Sequence, residues 1–210
     1  QEINNIQYKV KSSYDDVLAL LDWTAGLALP DDRQAFCCVA LQQAGEYPMN
    51  AGRRIQSSAG LDIGAEAYEQ HFEEFQLPHS TALHAVLDTD PTSPGGTGRH
   101  YQTGPLARWM NNADLVPASV RAVADELGVG KVETNPFRSI LSRGLETLWA
   151  IAEAQRIIAA YRPPGRPALD VPAVAGVGHG CTEAPRGILY HRYEIDAEGT
   201  IADAVIIPPT

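Results

Sequence analysis

The chain has 210 residues, of which 44% are hydrophobic and 20% are charged, a composition typical of a folded globular protein and not of a disordered one. Its formal net charge of −10 argues against nucleic acid or an anionic membrane as a partner, because both bind a basic surface. No apolar run approaches the roughly 18 residues of a membrane-spanning helix, so we expect no membrane segment.

The first third of the chain predicts a helix followed by a small β-rich region over residues 36–77. The helix is expected over 12–28, where serines and aspartates precede apolar residues at helical spacing. The run FCCVAL, which begins at Phe36, is typical of a short strand. A hairpin with its turn at 50–52 is expected after it.

Residues 69–98 carry a weaker pattern. The sequence favours strands near Leu77 and near Ala82, interrupted at Pro78. The stretch 88–98 is rich in proline, glycine and aspartate, which predicts a loop.

Two helices are predicted in the second half of the chain. The first lies within 116–129, with Pro117 in its first turn and Gly128 at its end. The second covers 135–161 and is capped by Asn135. Because a helix of this length needs a large partner surface, we expect it to form the spine of the fold.

The chain closes with a predicted hairpin over 181–210. Its strands are expected where apolar and polar residues alternate, at 188–194 and 201–207. Residues 163–180 are expected to form an extended connection that leads into it. Together these elements predict one α+β domain over 1–210, mainly helical, with a long spine helix and small antiparallel sheets.

Three cysteines cannot form a fully paired disulfide framework, and none lies in a C-x-x-C motif. Cys37 and Cys38 are adjacent, so a strand would direct their side chains to opposite faces. We expect buried free thiols in a reducing compartment, which indicates the cytoplasm. Histidine pairs such as His79 and His84 are expected to be packed or hydrogen-bonded and not to bind metal.

The stretch EAPRG, from Glu183 to Gly187, precedes the first strand of the predicted hairpin. Pro185 fixes its own backbone and Gly187 allows another group to approach closely, so Arg186 is expected on a rigid element. From the residues alone, an ordinary ion pair of Arg186 with Glu183 or Asp203 remains an alternative.

This stretch, continued to Asp196 and followed by IIPPT, resembles the C-terminal half of the large subunit of nickel–iron hydrogenases, close to the cytoplasmic cofactor-reducing group. Further stretches resemble the same family in the same order, namely EYP followed by GRRIQSSAGLDI, HSTALHA, GPLAR, and NPFRSI with Arg143 and Glu146 beyond it. The resemblance covers nearly all 210 residues.

In that family a nickel and an iron are held by four cysteines from the motifs R-x-C-G-x-C and D-P-C-x-x-C. This chain contains neither motif, so the resemblance implies a central fragment of the large subunit, and no metal ligand is assigned in it. The nickel–iron centre is expected in the complete protein. We expect the piece alone to hold no metal and to be inactive.

The resemblance implies roles for five residues around that centre. Arg186 matches the catalytic arginine over the open coordination site, and Pro185 matches the proline beside it. Pro209 and Thr210 match residues that face a cyanide ligand, a buried anionic acceptor that needs hydrogen-bond donors. Glu183 is expected to orient Arg186 and not to move protons.

The resemblance also implies the reversible oxidation of dihydrogen, with an iron–sulfur small subunit that passes electrons to subunits reducing a nicotinamide or deazaflavin acceptor. Two alternatives stay open: a related nickel-free quinone-reductase subunit, which shares E-A-P-R-G, and a non-catalytic scaffold or assembly module of hydrogenase-like fold. An exposed apolar face is expected on the 135–161 helix, and this face would allow the piece to self-associate.

Overall fold

The computed structural model of the chain describes residues 2–87 and 99–209. The described α-helices are α1 Glu2–Ala25, α2 Tyr68–His71, α3 Pro105–Asn112, α4 Ala118–Glu126 and α5 Ser139–Ala160. The described strands are β1 Cys37–Gln42, β2 Arg54–Ser57, β3 Asp62–Ile63, β4 Phe72–Gln76, β5 Leu83–Leu87, β6 Tyr101–Gln102, β7 Gly176–Ala184, β8 Gly187–Ile195 and β9 Ile201–Ile207. The predicted α+β class with a long helix is confirmed, while the loop predicted at 88–98 lies outside the described residues.

The chain divides into two compact units. One consists of Gln1–Gln34 and Val116–Pro172 and contains the long helices, whereas the other consists of Ala35–Leu115 and Ala173–Thr210 and contains the sheets. Each unit is assembled from two separated stretches, and the single domain over 1–210 stays a prediction. Within the described residues, no helix combines the length and the apolar character needed to span a membrane.

In the helical unit, α1 packs along α5. The side chain of Leu21 is buried, and its methyl group occupies the space where a Cβ on Gly144 would lie, at 2.5 Å. The glycine therefore allows the two helices to approach closely. Leu145 and Leu148 follow on the buried face of α5.

Asn135, the residue predicted to cap the long helix, caps the 3₁₀ turn that leads into it. The side chain of Asn135 accepts a hydrogen bond from the backbone N–H of Phe137 at 3.0 Å, and its amide donates to the carbonyl of Pro30 at 2.7 Å. A 3₁₀ turn, Pro136–Arg138, leads into α5. Satisfying these terminal backbone groups is what lets the helix begin here.

The predicted start of the first helix is wrong. Helix α1 begins at Glu2, and the hydroxyls of Ser12 and Ser13 donate to the carbonyl of Lys9 inside the helix. The serines therefore bond back to the preceding turn and do not cap a helix. Positions 3, 6 and 10 are apolar, which continues the helical spacing toward the N-terminus.

In the sheet unit, β1 is the central strand of a sheet with the order β3-β2-β1-β6. It pairs antiparallel with β2 and parallel with β6. Cys37 packs in a cluster with Tyr190 and Ile55, while Cys38 packs with Ala107 on the other side of the strand. The opposite orientation of the two cysteines is confirmed, and both are buried free thiols.

A second sheet has the order β7-β8-β9 and contains the hairpin predicted at the end of the chain. The extended connection predicted for 163–180 is wrong for its last five residues, which belong to strand β7. This strand lies at the edge of the sheet, and its residues up to Gly180 are exposed, so its sequence has no alternation of apolar and polar residues that would reveal it.

We expect Leu21→Ala to lower the free energy of unfolding by about 2–5 kcal/mol, because it removes a buried side chain seated against Gly144 and leaves a cavity. Leu20→Ala is the matched control, since the adjacent Leu20 is 52% exposed and its loss should change stability by no more than about 0.5 kcal/mol. Urea unfolding followed by circular dichroism measures both. Equal losses would contradict the packing described for α1 and α5.

Candidate functional site

The EAPRG stretch forms the tight turn between β7 and β8. Ala184 pairs with Gly187 at the end of the ladder, which leaves Pro185 and Arg186 as the two residues of the turn, both exposed. Gly187 has a φ of 137°, a conformation that side chains disfavour. A Cβ on Gly187 would also collide with the side chain of Thr103. Glycine is therefore required here both by backbone conformation and by space.

The chain before α3 lies directly against this turn. The hydroxyl of Thr103 donates to the carbonyl of Arg186 at 3.1 Å. Gly104, which precedes the helix, has a φ of 82°, and a Cβ on it would lie 2.9 Å from the same carbonyl oxygen. The close approach of the two stretches thus depends on a glycine on each side.

Helix α3 brings a buried guanidinium beneath the turn. Nη1 of Arg108 donates to Oε2 of Glu183 at 2.7 Å, and the two side chains are 2% and 1% exposed. The same Nη1 donates to the carbonyl of Ala184 at 2.9 Å, and Nη2 donates to that of Pro185 at 3.3 Å. Arg108 therefore neutralises Glu183 and binds the backbone on which Arg186 is carried.

Glu183 has a second buried donor. Its Oε1 accepts a hydrogen bond from the backbone N–H of Leu41, in the central strand β1, at 2.8 Å. Both carboxylate oxygens are thus hydrogen-bonded, which is the condition under which a buried charge is tolerated. The carboxylate links α3, β1 and β7 at one point.

The structure places the predicted site residues as follows. Pro185 and Arg186 lie together in the turn. Glu183 lies at the end of β7, before the turn, and forms an ion pair with Arg108. Its expected role of orienting Arg186 stays a prediction. Asp203, the other carboxylate considered for Arg186, pairs with Arg192 at 2.9 Å.

Pro209 and Thr103 both line a cavity of about 390 Å³ in the sheet unit. Thr103 therefore contacts the Arg186 turn on one side and the cavity on the other. Thr210 lies outside the described residues, so its predicted place beside Arg186 stays a prediction.

The described residues do not fit the ligand set of a metal centre. Among residues 2–87 and 99–209, no three histidine, cysteine or acidic side chains are grouped closely enough to hold a metal ion. Burial, and then the neighbouring Cys37, raises the pKa of Cys38 to about 11, and burial followed by the charge of Glu183 raises the pKa of Cys181. These thiols stay protonated at neutral pH, whereas a metal binds the thiolate.

A polar network joins the second sheet to α2 through the buried Tyr190. The hydroxyl of Tyr190 donates to Oε1 of Glu69 at 2.8 Å, and Nδ1 of His179 lies 3.0 Å from that hydroxyl. Arg192 donates to Glu69 at 2.8 Å and to Asp203 at 2.9 Å. His179 is thus hydrogen-bonded, as expected for the histidines of this chain, and the network ties α2 to the sheet.

The sequence did not predict α3 or the role of Arg108. Its signal was present as Gly104-Pro105, since proline favours the first turn of a helix. The stretch contains only eight helical residues, and the partner of Arg108 is 75 residues away in the chain. Only the tertiary structure shows that the GPLAR and EAPRG stretches contact each other.

Comparison with known sequences gives two relatives among curated proteins, while no protein-family model matches the chain. The alpha chain of sulfhydrogenase 1 from Pyrococcus furiosus is 28% identical over 209 residues, which cover 96% of this chain and 46% of that protein. An iron-sulfur subunit of the F420-non-reducing hydrogenase from Archaeoglobus profundus is 32% identical over 118 residues, which cover 52% of this chain and 23% of that protein.

The chain is homologous to the large or alpha subunits of hydrogenases. It spans about half the length of the sulfhydrogenase protein that it matches.

Solved structures show the same fold. An NAD+-reducing [NiFe]-hydrogenase in the H2-reduced state matches with a TM-score of 0.62 and 20% identity, over 98% of this chain and 47% of that one. A Ni-Fe-Se hydrogenase from D. vulgaris Hildenborough in the reduced state matches with a TM-score of 0.54 and 18% identity, over 99% of this chain and 49% of that one. The chain therefore has a fold like that of part of a hydrogenase large subunit.

We expect Arg108→Met to lower the free energy of unfolding by about 3–5 kcal/mol, because it leaves the Glu183 carboxylate buried without its charged partner. Arg54→Met removes an exposed pair with Asp62 and should cost no more than about 1 kcal/mol. Adding Glu183→Gln to Arg108→Met should recover part of the loss. Chemical unfolding of the unsubstituted chain, the two single variants and the double variant provides the test. A small effect of Arg108→Met would contradict the buried pair.

We also expect Glu69→Gln to make stability less dependent on pH. Partial burial would raise the pKa of Glu69, but the hydrogen bonds from Tyr190 and Arg192 outweigh it and lower the pKa. The stability that Glu69 contributes is therefore present at neutral pH and is lost as the pH falls below about 4. The free energy of unfolding should be measured at a series of pH values. At pH 7 it should be lower for Glu69→Gln than for the unsubstituted chain, and this difference should disappear in acid.

The control for that experiment is Glu198→Gln, which removes an exposed carboxylate from the β8–β9 turn. It should leave the pH dependence of unfolding unchanged. A loss of stability in Glu69→Gln that persists unchanged in acid would show that the carboxylate charge is not its cause.

Proposed function

We propose that the chain is part of the large subunit of a nickel–iron hydrogenase and takes part in the reversible oxidation of dihydrogen. The observation that carries this proposal is the contact between GPLAR and EAPRG. These two stretches are separated in the sequence, and both carry the family resemblance. In the fold they meet so that Arg108 and Thr103 hold the turn on which Arg186 lies.

In this proposal Arg186 is the catalytic residue and Pro185 shapes the turn around it. Arg186 is exposed while its backbone carbonyl is bound by Thr103, so the backbone that carries the guanidinium is held in place before any partner binds. A planar guanidinium with several N–H donors can orient a reacting group or stabilise developing charge. Pro209, Thr210 and Glu183 are proposed to border the same region.

The nickel–iron centre belongs to the complete protein, where it would supply the redox chemistry of dihydrogen cleavage. Its ligands are proposed to lie outside the described residues, because these hold no suitable group. What this chain contributes is the Arg186 guanidinium and the held backbone that carries it.

The partners proposed are an iron–sulfur small subunit, together with subunits that pass electrons to a nicotinamide or deazaflavin acceptor, in the cytoplasm. One similar structure is named NAD+-reducing and one relative is named F420-non-reducing, so these names favour the nicotinamide over the deazaflavin. Around α5, Phe137, Ile140, Ile157 and Tyr161 are between 44% and 50% exposed, which supports self-association of the piece when it is alone.

We expect Arg186→Lys in the complete enzyme to retain nickel and iron, because no ligand is changed. Hydrogen turnover should fall roughly 10²–10⁴-fold, the range for a positioned acid–base group. This loss corresponds to about 3–5 kcal/mol of transition-state stabilisation. Lysine keeps the charge but lacks the planar fork of donors, so the substitution tests geometry separately from charge.

The matched control is Arg166→Lys, which changes an exposed arginine in the segment between α5 and β7 and should leave turnover unaltered. Hydrogen oxidation with an artificial electron acceptor and elemental analysis of the same samples measure both effects. Near-normal turnover in Arg186→Lys would overturn the catalytic role. A complete protein without nickel would instead support the quinone-reductase or scaffold alternative.

A further inference from the structure

The cavity beside the Arg186 turn has walls from several elements of the sheet unit. Strands β4 and β5 form one side, and the ends of β8 and β9 form another. Most of the lining side chains are apolar, for example Phe72, Leu83 and Ile188. With a volume of about 390 Å³ the cavity is large enough to hold several water molecules. Its few polar groups therefore decide what it can do.

Glu74 is the only carboxylate among the described residues that line this cavity. It lies on β4 directly opposite Ala85, which also lines the cavity. Burial raises the pKa of Glu74 above its ordinary value, which brings its protonation closer to neutral pH. The neighbouring Glu73 lies on the opposite face of the strand, opposite Val86.

The other polar groups of the cavity are hydroxyls. Tyr68 and Tyr101 line it and are hydrogen-bonded to each other through their side chains. Burial raises the pKa of both phenols, so they stay protonated and can relay a hydrogen bond without becoming charged. The titratable groups that face Glu74 are these two phenols, and Cys181 interacts with both of them from β7.

Thr103 connects the cavity to the turn. Its side chain lines the cavity, and its hydroxyl donates to the carbonyl of Arg186. The polar groups of the cavity are therefore the Glu74 carboxyl group, the two tyrosine hydroxyls and the Thr103 hydroxyl, on walls that are otherwise mostly apolar. The Thr103 hydroxyl is the one that binds the backbone of Arg186. A carboxyl group and hydroxyl groups that share a cavity able to hold water are an arrangement suited to moving protons.

We propose that this cavity is a proton-exchange pocket, in which Glu74 carries protons between bulk solvent and the Arg186 turn. The proposal rests on the proposed function, since the oxidation of dihydrogen releases protons that must leave the site. The Glu74 carboxylate takes a proton from a hydronium ion in the cavity, which becomes water. The O–H bond then breaks as the proton passes to water at the surface, and no electrons are transferred.

The test is Glu74→Gln in the complete enzyme, because glutamine keeps the shape of the side chain and cannot carry the proton. Hydrogen oxidation should fall by roughly 10²-fold, the lower end of the effect of a positioned proton-transfer group. Added imidazole, a small diffusible proton carrier, should restore part of the turnover in a concentration-dependent way. A variant that is slow only because its fold is disturbed would not respond to imidazole.

Glu73→Gln is the matched control, since it makes the same change one residue away on the other face of β4. It should have normal turnover and no response to imidazole. A second measurement is independent of activity: infrared difference spectra during a pH titration should show a protonated-carboxyl band in the unsubstituted protein and in Glu73→Gln, and no such band in Glu74→Gln.

The outcomes separate this inference from the function on which it rests. An unsubstituted protein without hydrogen activity would overturn the proposed function. An active protein in which Glu74→Gln and Glu73→Gln have the same turnover, the same response to imidazole and the same infrared band would overturn the proton-exchange pocket and leave the proposed function standing.

Discussion

The side chains of Arg108 and Glu183 form a buried ion pair on which the geometry of the candidate site depends. The pair joins helix α3 to strand β7, and Glu183 also binds the backbone of the central strand β1. Removing water from two charges is costly, and the cost is offset here because the backbone groups around them complete their hydrogen bonds. Arg108 also donates hydrogen bonds to the carbonyls of Ala184 and Pro185. The side chain that neutralises Glu183 therefore also holds the backbone of the turn.

This arrangement separates the fixed parts of the site from the exposed part. The charged groups beneath the turn are buried, whereas Arg186 above it is exposed. Two glycines with positive φ, Gly104 and Gly187, permit the backbone contact between the two stretches. The backbone that carries the guanidinium is therefore already in place when a reacting group arrives, which is the part of preorganisation that this fold supplies. Thr103 also lines the cavity that contains Glu74, so the cavity borders the turn at this residue.

Local patterns in the sequence predicted the elements whose signals lie within a few residues. Asn135 and Pro136 mark the start of the long helix, and the alternation over 188–194 and 201–207 marks two strands. The start of α1 was wrong because serines within a helix carry the same side-chain groups as serines at a cap. Strand β7 was missed because an exposed edge strand has no buried face to impose a pattern.

By itself, the sequence determined that Arg186 lies between proline and glycine on a short rigid segment, that Cys37 and Cys38 face opposite ways, and that the chain resembles one family. These conclusions depend on backbone chemistry and on neighbouring residues, which are local. Only the tertiary structure decided that Glu183 binds Arg108 and that Thr103 reaches both the turn and the cavity. Arg108 and Glu183 are 75 residues apart along the chain, and Thr103 and Arg186 are 83 residues apart. No local pattern specifies which distant charge or carbonyl a side chain will meet.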